Sequence, residues 1–381
     1  MRMERLKIID YQLGVADNKI RLLSRLNPTN AKKERKKFLH AYKKGQIYNP
    51  FLNFRSVNVD LDKIEKGLKS IKINVPHKGD EQQFLAKYLE EKRKRSIKKI
   101  RAVKHRGTPS FNKYSKELFA RPSPEQLSYA KKHLTPEACI KFSEIKNTIP
   151  SQDAAQILQK YIEEAGLPWR TKLSGVISSR AGIDSRGKFL IIKKGEFFSP
   201  EEIESLAVHE IETHIFRKEN GEKQSLPHLF GQGFAGPPTI EECLAFFNET
   251  QQPVHDPRRF LVICARTLAS EMAFHKSFFD TFDYLVKRGL PEEYAWSTTL
   301  RTKRGFRDTS KPGSFSKDHH YLKGYLQVKK YFDEGGDIQS LYIGGVGLLT
   351  AKSIKDLGIK IKAPYYIPRY LVNGNTRPKI T

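Results

Sequence analysis

The decisive stretch of this sequence spans residues 209–214 and reads His209-Glu210-Ile211-Glu212-Thr213-His214. A Glu that directly follows the first of two histidines on a helix is typical of zinc sites, where the histidines hold the metal and the Glu acts as general base. In the common form the histidines are four residues apart and share one helix face. Here they are five apart, and at about 100° per residue this places them on different faces of a regular α-helix. The motif therefore predicts a metal site only if the helix gains a residue locally, as in a π-bulge, or unwinds before His214.

A third ligand would strengthen the metal interpretation, because the histidine pair alone is ambiguous. With 11 histidines among 381 residues, two could share a helix by chance. Residues 239–247 predict a second helix, whose acidic first turn holds Glu241 and Glu242. Catalytic zinc sites take three protein ligands and a water, and two histidines with one Glu form an established set. The helix dipole also favours acidic residues at a helix start, so a purely structural explanation stays open.

The residues around the motif predict strands, a helix start and a loop. Residues 176–182 and 188–193 predict two short strands, joined by a turn at residues 184–187. Ser199, followed by a Pro and two Glu, is typical of a helix N-cap and predicts the start of the helix that carries the motif. Residues 224–238 are rich in Gly and Pro, as expected of a loop that wraps around a cleft.

The charge balance is strongly basic. The chain has 69 Lys and Arg against 42 Asp and Glu, a formal net charge of +27. Such an excess favours acidic partners, whether nucleic acid, anionic lipid or an acidic polypeptide, and does not choose among them. The first 130 residues carry much of this charge in mainly helical patterns.

The cysteines and the hydropathy pattern indicate a cytoplasmic protein. Cys139, Cys243 and Cys264 form neither a zinc pattern nor a disulfide framework, which favours a reducing compartment. The first residues contain no apolar region typical of a signal peptide. No stretch approaches the roughly 18 apolar residues of a membrane span, so we expect no membrane partner.

Two blocks of the sequence resemble a known family. The first is the 209–214 motif followed by Asn220-Gly221, Gln224, Pro227 and the Glu-Glu-Cys-Leu-Ala of residues 241–245. The second comprises Arg301-Thr302-Lys303-Arg304-Gly305, Asp308-Thr309-Ser310, Pro312-Gly313, Phe315, Lys317-Asp318 and Tyr321-Leu322. Both are similar to blocks of the tyrosine carboxypeptidase-like metallopeptidases, called microtubule-associated tyrosine carboxypeptidases in animals and QEGLA-motif proteins in bacteria. The resemblance is strongest between Ser174 and Leu322, with weaker similarity at residues 26–30 and 48–50.

The resemblance implies a gluzincin-like carboxypeptidase that removes a C-terminal aromatic residue, tyrosine or phenylalanine. His209, His214 and Glu242 would hold one catalytic Zn²⁺, with Glu241 the weaker choice, and Glu210 would be the general base. We expect an α+β fold in which a helical N-terminal part packs on a small mixed sheet, with the zinc-binding helix behind its edge strand. We predict a basic N-terminal region over residues 1–130, integral to the catalytic body, and a zinc metallopeptidase domain over residues 131–381.

The chain departs from the family pattern at two positions. The family usually has Gly where this chain has Glu212, and again where it has Cys243. A carboxylate at position 212 would disturb the metal if it pointed into the site and would be harmless if it pointed away. Cys243 lacks signs of a lowered thiol pKa, so we expect it to be inert. Neither departure removes a predicted ligand or the base.

Other chemical roles have candidates in the second block. Tyr321 is the first candidate for an oxyanion donor, with His319 and His320 behind it. The forked guanidinium of Arg suits a terminal carboxylate, and the candidates for that role are Arg301, Lys303, Arg304, Arg180 and Lys317. For these basic residues a plain surface loop is the competing explanation.

Two further features would contact the substrate. The strand around Ile191 would pair with the substrate backbone as an added strand. Phe306 and Phe315 are candidate walls for an aromatic pocket.

Three functions remain open on the sequence. The first is the carboxypeptidase, whose partner would be a peptide or protein C-terminus, possibly an acidic tail of the tubulin type. The second is a basic nucleic-acid-binding or scaffold protein with a vestigial metal site, although no nucleic-acid module is visible and any such binding would rest on non-specific charge. The third is a zinc endopeptidase, which needs no group to bind a terminal carboxylate.

Overall fold

The structure is a computed structural model that describes residues 3–73, 81–175, 177, 179–185, 187–232 and 239–372. The described chain is mostly helical with two small sheets, which confirms the predicted α+β class. It forms two compact units. The first unit comprises Met1–Phe142 and Arg258–Lys323, and the second comprises Ser143–Pro257 and Gly324–Thr381. The functional boundary expected near residue 130 stays a prediction.

The α-helices in chain order are α1 (Met3–Ile20), α2 (Leu22–Leu26), α3 (Ala31–Lys43), α4 (Leu61–Ser70), α5 (Glu81–Lys104), α6 (Phe111–Phe119), α7 (Pro124–His133), α8 (Pro136–Cys139), α9 (Lys141–Glu144), α10 (Ser151–Glu164), α11 (Pro200–Leu206), α12 (Phe216–Glu222), α13 (Pro227–Gln232), α14 (Thr239–Thr250), α15 (Arg258–His275), α16 (Phe278–Lys287), α17 (Glu292–Thr302), α18 (His319–Asp333), α19 (Leu348–Asp356) and α20 (Arg369–Val372). A π-helix spans Ala207–Ile215, and two 3-10 turns span Ser316–Asp318 and Ile338–Ile343. Within the described part of the chain, no helix is both long enough and apolar enough to cross a bilayer.

The first unit is a helical body whose basic surface is partly paired with acidic residues. Leu6, Ile9 and Leu13 recur at helical spacing on α1 and are buried where this helix packs against α5. On α5, Lys99 donates to Asp17 of α1 over 2.7 Å. The dense basic run of α5 therefore supplies partners to α1 as well as surface charge.

The second unit contains the predicted small mixed sheet. Its strands β2 (Arg170–Ser174), β3 (Ala181–Asp184) and β4 (Phe189–Lys193) lie in the order β2-β4-β3, with β2 parallel and β3 antiparallel to β4. Strands β1 (Ile149–Pro150) and β5 (Phe197–Phe198) form a separate antiparallel pair.

The sequence predicts no strand at the position of β2, whereas it predicts strands that overlap β3 and β4. Strand β4 confirms the strand predicted at residues 188–193, whereas β3 begins at residue 181 and overlaps the strand predicted at residues 176–182 only at its last two residues. Residues 176, 178 and 186 lie outside the described residues. Strand β2 was missed, because Arg-Thr-Lys-Leu-Ser has no apolar alternation. It pairs along one side of β4, and none of its residues is fully buried.

The helix that carries the motif starts where the sequence predicts. The Ser199 hydroxyl accepts a hydrogen bond from the Glu202 backbone N–H over 3.2 Å, and Pro200 occupies the first helical position. From there α11, the π-helix and α12 run on without a break from Pro200 to Glu222. The edge strand β3 contacts the π-helix. The loop predicted at residues 224–238 includes the short helix α13, and residues 233–238 of it lie outside the described residues.

Candidate metal centre

The helix is irregular at the motif, as the spacing of its histidines requires. Residues Ala207–Ile215 form a π-helix, so the predicted local irregularity of the helix between His209 and His214 is confirmed. Because hydrogen bonds in a π-helix join residues five apart, His209 and His214 can occupy neighbouring positions on one face. Their ring centroids are 4.8 Å apart. The Thr213 hydroxyl donates to the Val208 carbonyl, also five residues earlier, over 2.9 Å and supports the wider turn.

Helix α14 brings a carboxylate to the two histidines. Glu242 Oε2 lies 3.6 Å from His209 Nε2, and Glu242 Oε1 lies 4.0 Å from His214 Nε2. One ligand atom from each of the three residues lies within 4.8 Å of the others. Both histidines are buried, whereas the Glu242 side chain is 35% exposed. The cluster therefore has the donor set of a catalytic metal site and one partly exposed ligand.

Each histidine is held from behind by a second carboxylate. His209 Nδ1 lies 2.6 Å from Glu249 Oε1, and His214 Nδ1 lies 3.1 Å from Glu241 Oε1. With both Nδ1 atoms engaged, both Nε2 atoms remain on the side of Glu242. A carboxylate behind a ligating histidine fixes the tautomer and the ring orientation in metal sites. Glu241, the weaker ligand candidate in the sequence, thus contacts the far side of the His214 ring.

Glu249 was not predicted from the sequence, although a signal for it exists. It follows Glu242 by seven residues on α14, which is two helical turns and the same face. A search along α14 at that spacing for acidic residues would have found it. Its side chain is almost wholly buried.

Electrostatics couple His214 to Glu241. Burial lowers the pKa of His214, but the hydrogen bond to Glu241 and the charge of that carboxylate outweigh it, so the pKa of His214 is raised. Burial raises the pKa of Glu241, whereas His214 and Arg217 lower it more, and the net shift is downward. Arg217 is itself buried and donates to the Leu341 and Val346 carbonyls over 3.0 and 2.7 Å.

Glu210 lies in the same π-helix and is buried. Among the described residues, none donates a hydrogen bond to its carboxylate. A general base needs such an available carboxylate near the reacting water.

Glu212 is engaged by a residue far along the chain. Its Oε1 accepts from the Arg369 guanidinium over 2.6 Å, and its Oε2 accepts from the Arg369 backbone N–H over 3.1 Å. Burial raises the pKa of Glu212, although Arg369 opposes the shift. Both oxygens of the Glu212 carboxylate, which stands where the family usually has Gly, are therefore occupied by Arg369. Cys243 is fully buried.

Two of the basic residues proposed for substrate binding have structural partners. Arg180 lies in the second unit and forms ion pairs with Glu202 and Glu196. Lys303 lies in the first unit, is fully buried and donates to three backbone carbonyls, of Ala273, Lys276 and Lys311. These contacts favour a structural role for both residues.

The remaining predicted residues lie together in the first unit. Arg301 pairs with Asp318, and the Lys317 amino group donates to the Tyr321 hydroxyl over 3.1 Å. Burial lowers the pKa of His319 to about 4, so that ring is neutral at neutral pH, and its Nδ1 lies 2.6 Å from the Ser316 carbonyl. The catalytic and substrate-binding roles of this group, Arg304 included, stay predictions.

The sequence predicts two features that contact the substrate, namely the strand at Ile191 and the side chains of Phe306 and Phe315. The expectation that a substrate strand adds beside Ile191 is wrong, because β4 is the central strand and Ile191 is paired with both Lys172 and Gly182. Phe306 and Phe315 are buried and pack against the Phe111 ring at centroid distances of 5.0 and 6.2 Å, which favours a core role.

The fold and the site together define the class of protein. It is a mostly helical α+β chain with a cluster of two buried histidines and a partly exposed glutamate, carried by the π-helix and by α14. The model of one family, the microtubule-associated tyrosine carboxypeptidases, matches residues 36–380. The chain belongs to this family.

Relatives from three mammals match a shorter part of the chain. Microtubule-associated tyrosine carboxypeptidase 1 of Mus musculus is 33% identical over 135 residues, which are 34% of this chain and 28% of that protein. The Rattus norvegicus protein is 30% identical over 174 residues, 43% of this chain and 36% of its own length. The Homo sapiens protein is 31% identical over 135 residues, 34% of this chain and 28% of its own length. The chain thus spans between 28% and 36% of the length of these relatives.

Proposed function

We propose that this chain is a zinc-dependent, gluzincin-like carboxypeptidase that removes a C-terminal aromatic residue, tyrosine or phenylalanine, from a peptide or protein. The observation that carries the proposal is the convergence of His209, His214 and Glu242, with ligand atoms within 4.8 Å of one another. Membership of the tyrosine carboxypeptidase family and the names of the mammalian relatives support the reaction type.

The residues present fit a zinc ion by their chemistry. Two imidazole nitrogens and one carboxylate oxygen are a known ligand set for catalytic zinc, which keeps a further position open for water. The Nδ1 atoms of both histidines already bind carboxylates, as ligating histidines do in metal sites. The partial exposure of Glu242 leaves one side of the cluster open to solvent and substrate.

The proposed mechanism assigns a task to each residue of this site. Zinc bound there would lower the pKa of a bound water toward about 7 and polarise the scissile carbonyl. Glu210 accepts the proton of the attacking water and passes it to the departing amine. Glu249 and Glu241 hold the two histidine rings in orientation. The oxyanion role of Tyr321, which lies in the first unit, stays a prediction from the sequence.

Replacing Glu249 by Gln should weaken zinc binding roughly ten- to hundredfold, the range found when the group behind a ligating histidine is changed. The amide is uncharged and no longer strengthens His209 as a donor. Zinc dissociation constants by competition with a chromophoric chelator measure the effect. Glu222→Gln, an exposed Glu on the adjoining helix α12, is the matched control and should leave the constant unchanged. Equal constants for Glu249→Gln and wild type would contradict the orienting role.

Comparing a peptide with its C-terminally amidated form tests the proposed reaction. We expect release of free tyrosine from a peptide that ends in tyrosine, loss of nearly all activity on the amide, and loss of activity after removal of metal by a chelator. Mass spectrometry of the products identifies the bond that is cut. Internal cleavage of both peptides would instead show an endopeptidase, and activity unaffected by the chelator would contradict the metal mechanism.

The basic charge suits an acidic substrate tail. A net charge of +27 should steer acidic peptides toward the enzyme, an effect that falls as ionic strength rises. The names of the relatives associate them with microtubules, and we propose an acidic, tubulin-type C-terminus as the substrate class.

A further inference from the structure

One hydrogen bond inside the π-helix matches its wider turn. The Thr213 hydroxyl donates to the Val208 carbonyl, five residues earlier, over 2.9 Å. In a regular α-helix a Thr hydroxyl donates to the carbonyl three or four residues earlier. Val208 directly precedes His209, and Thr213 directly precedes His214. The bond therefore favours the π register over the α-helical one in the segment that joins the two histidines.

The side chain that holds the Thr213 hydroxyl in this orientation is Asn248 of α14. Asn248 Nδ2 donates to Thr213 Oγ1 over 2.8 Å and to the Tyr342 hydroxyl over 2.7 Å. Asn248 Oδ1 accepts from the Tyr370 hydroxyl over 2.8 Å. Because the Thr213 hydroxyl donates to Val208, it accepts from Asn248, which assigns the nitrogen of the amide to this side. Both N–H groups and the oxygen of the amide are thus engaged.

This polar network is buried. Thr213, Asn248 and Tyr342 have no exposed surface. Its members come from the π-helix, α14, the 3-10 turn at Ile338–Ile343 and α20, all in the second unit. A buried network whose members pair with one another fixes one arrangement, because loss of one member leaves the others unpaired away from water.

Asn248 also lies where the two ligand-bearing elements meet. The π-helix carries His209 and His214, and α14 carries Glu242. The next residue on α14, Glu249, lies 2.6 Å from His209 Nδ1. The amide of Asn248 therefore joins α14 to the π-helix directly beside the contact between Glu249 and His209.

The π register needs such support, because π-helices are rare and a regular α-helix is the usual alternative. At about 100° per residue, an α-helix would place His209 and His214 on different faces, and their Nε2 atoms would not both approach Glu242. Selection of the π register is therefore a condition for the convergence of the three ligands.

We propose that Asn248 is a positioning residue for the candidate metal centre. Through Thr213 its amide keeps the π register between the two histidines, and from its place on α14 it keeps Glu242 at its distance from them. The inference rests on the proposed function, because it concerns the ligands of the proposed zinc ion. It goes beyond that function by assigning control of metal affinity and ligand geometry to a residue that is not itself a ligand candidate.

Zinc dissociation constants of the full chain, from competition with a chromophoric chelator, test the inference. Thr213→Val removes the hydroxyl while keeping the shape of the side chain, and it should weaken zinc binding roughly tenfold, the low end of the range for groups behind a metal ligand. Asn248→Leu removes every hydrogen bond of the amide and should weaken binding at least as much. Thr213→Ser keeps the hydroxyl and should bind zinc within about twofold of wild type.

Thr250→Val is the matched control, because it makes the same substitution on α14. The Thr250 hydroxyl donates over 2.7 Å to the Phe247 carbonyl of the same helix. Its loss leaves the link between α14 and the π-helix intact, so the zinc dissociation constant of this variant should equal that of wild type.

Cobalt in place of zinc distinguishes positioning from a general loss of stability. The visible absorption of bound Co²⁺ depends on the geometry of its ligands. Thr213→Val and Asn248→Leu should therefore change the spectrum, whereas Thr213→Ser and Thr250→Val should not. Urea unfolding of the metal-free chains records the stability of each variant separately. A less stable Thr213→Val chain that keeps the wild-type zinc constant and Co²⁺ spectrum would show a merely structural role and overturn the inference.

The outcomes separate this inference from the proposed function. Wild type without affinity for zinc would contradict the proposed function and the inference with it. Equal zinc constants for wild type and Thr213→Val would overturn the inference alone. A Thr213→Ser chain that binds zinc as weakly as Thr213→Val would also overturn it, because the hydroxyl would then not be the group that matters.

Discussion

The Glu210→Gln chain should bind zinc as tightly as wild type while hydrolysing a C-terminal tyrosine bond roughly a hundred- to ten-thousandfold more slowly, the range expected for loss of a general base. Gln is nearly the same size as Glu and cannot accept a proton. Glu210 is not one of the three residues whose ligand atoms converge, so zinc binding should be unaffected. Initial rates of tyrosine release and zinc content of the same sample measure both parts.

The control for this prediction is again Glu222→Gln, which removes a carboxylate from the exposed face of the adjoining helix and should leave the rate unchanged. A Glu210→Gln chain that releases tyrosine as fast as wild type would rule out Glu210 as the base. Loss of zinc from this variant would instead place Glu210 among the ligands.

The second prediction with a large expected effect concerns stability. The segment at residues 362–370 is hydrogen-bonded to residues on and next to the helices of the candidate metal site. Gln224 exchanges hydrogen bonds with the Lys362 backbone, and the Asn220 amide oxygen accepts from the Tyr365 and Tyr366 N–H groups. Tyr370 donates to Asn248 over 2.8 Å, and Asn248 donates to Thr213 over 2.8 Å. The π-helix is therefore held by residues that lie far away in the sequence.

Arg369→Met should destabilise the second unit by roughly 2–4 kcal/mol, because it leaves Glu212 buried without its cation. We expect less than for a wholly buried pair, since the Arg369 side chain is 33% exposed. The same guanidinium lies 4.8 Å from the centre of the Tyr161 ring, whose hydroxyl donates to Glu204, so its loss also loosens this contact. Urea unfolding followed by circular dichroism measures the effect.

A double-mutant cycle distinguishes two causes of the lost stability, namely the unpaired charge of buried Glu212 and the lost packing of the Arg369 side chain. Adding Glu212→Gln to Arg369→Met removes the uncompensated carboxylate and should restore part of the stability. Lys360→Met, at an exposed position on the same C-terminal side, is the control and should be within about 0.5 kcal/mol of wild type. Additive losses in the double variant would show that the two side chains do not depend on each other.

The sequence predicts the residues of the candidate metal site better than the contacts that surround them, for physical reasons. The five-residue spacing of the histidines requires a local irregularity, and the residues of the motif meet that requirement as a π-helix. The acidic start of a helix near the motif predicted a third ligand without choosing between Glu241 and Glu242, and the family resemblance favoured Glu242. Glu249 could have been predicted too, because it shares a helix face with Glu242.

The partners that fix the site from a distance leave no local signal. Glu212 and Arg369 are 157 residues apart, and no local sequence pattern at either position predicts their ion pair. Strand β2 also lacks a local signal, because most of its residues are polar and it forms by pairing with an edge of β4. Ile191 was wrongly predicted to bind substrate because its apolar strand pattern does not reveal that both edges of β4 are occupied.

Zinc content after dialysis against a zinc buffer tests the central claim most directly. Wild type and His40→Ala, which changes an exposed histidine, should each retain about one zinc ion per chain, as catalytic zinc sites do. His214→Ala should retain far less, because one of the three converging ligands is gone. Wild type without zinc, or a His214→Ala chain with as much zinc as wild type, would contradict the account.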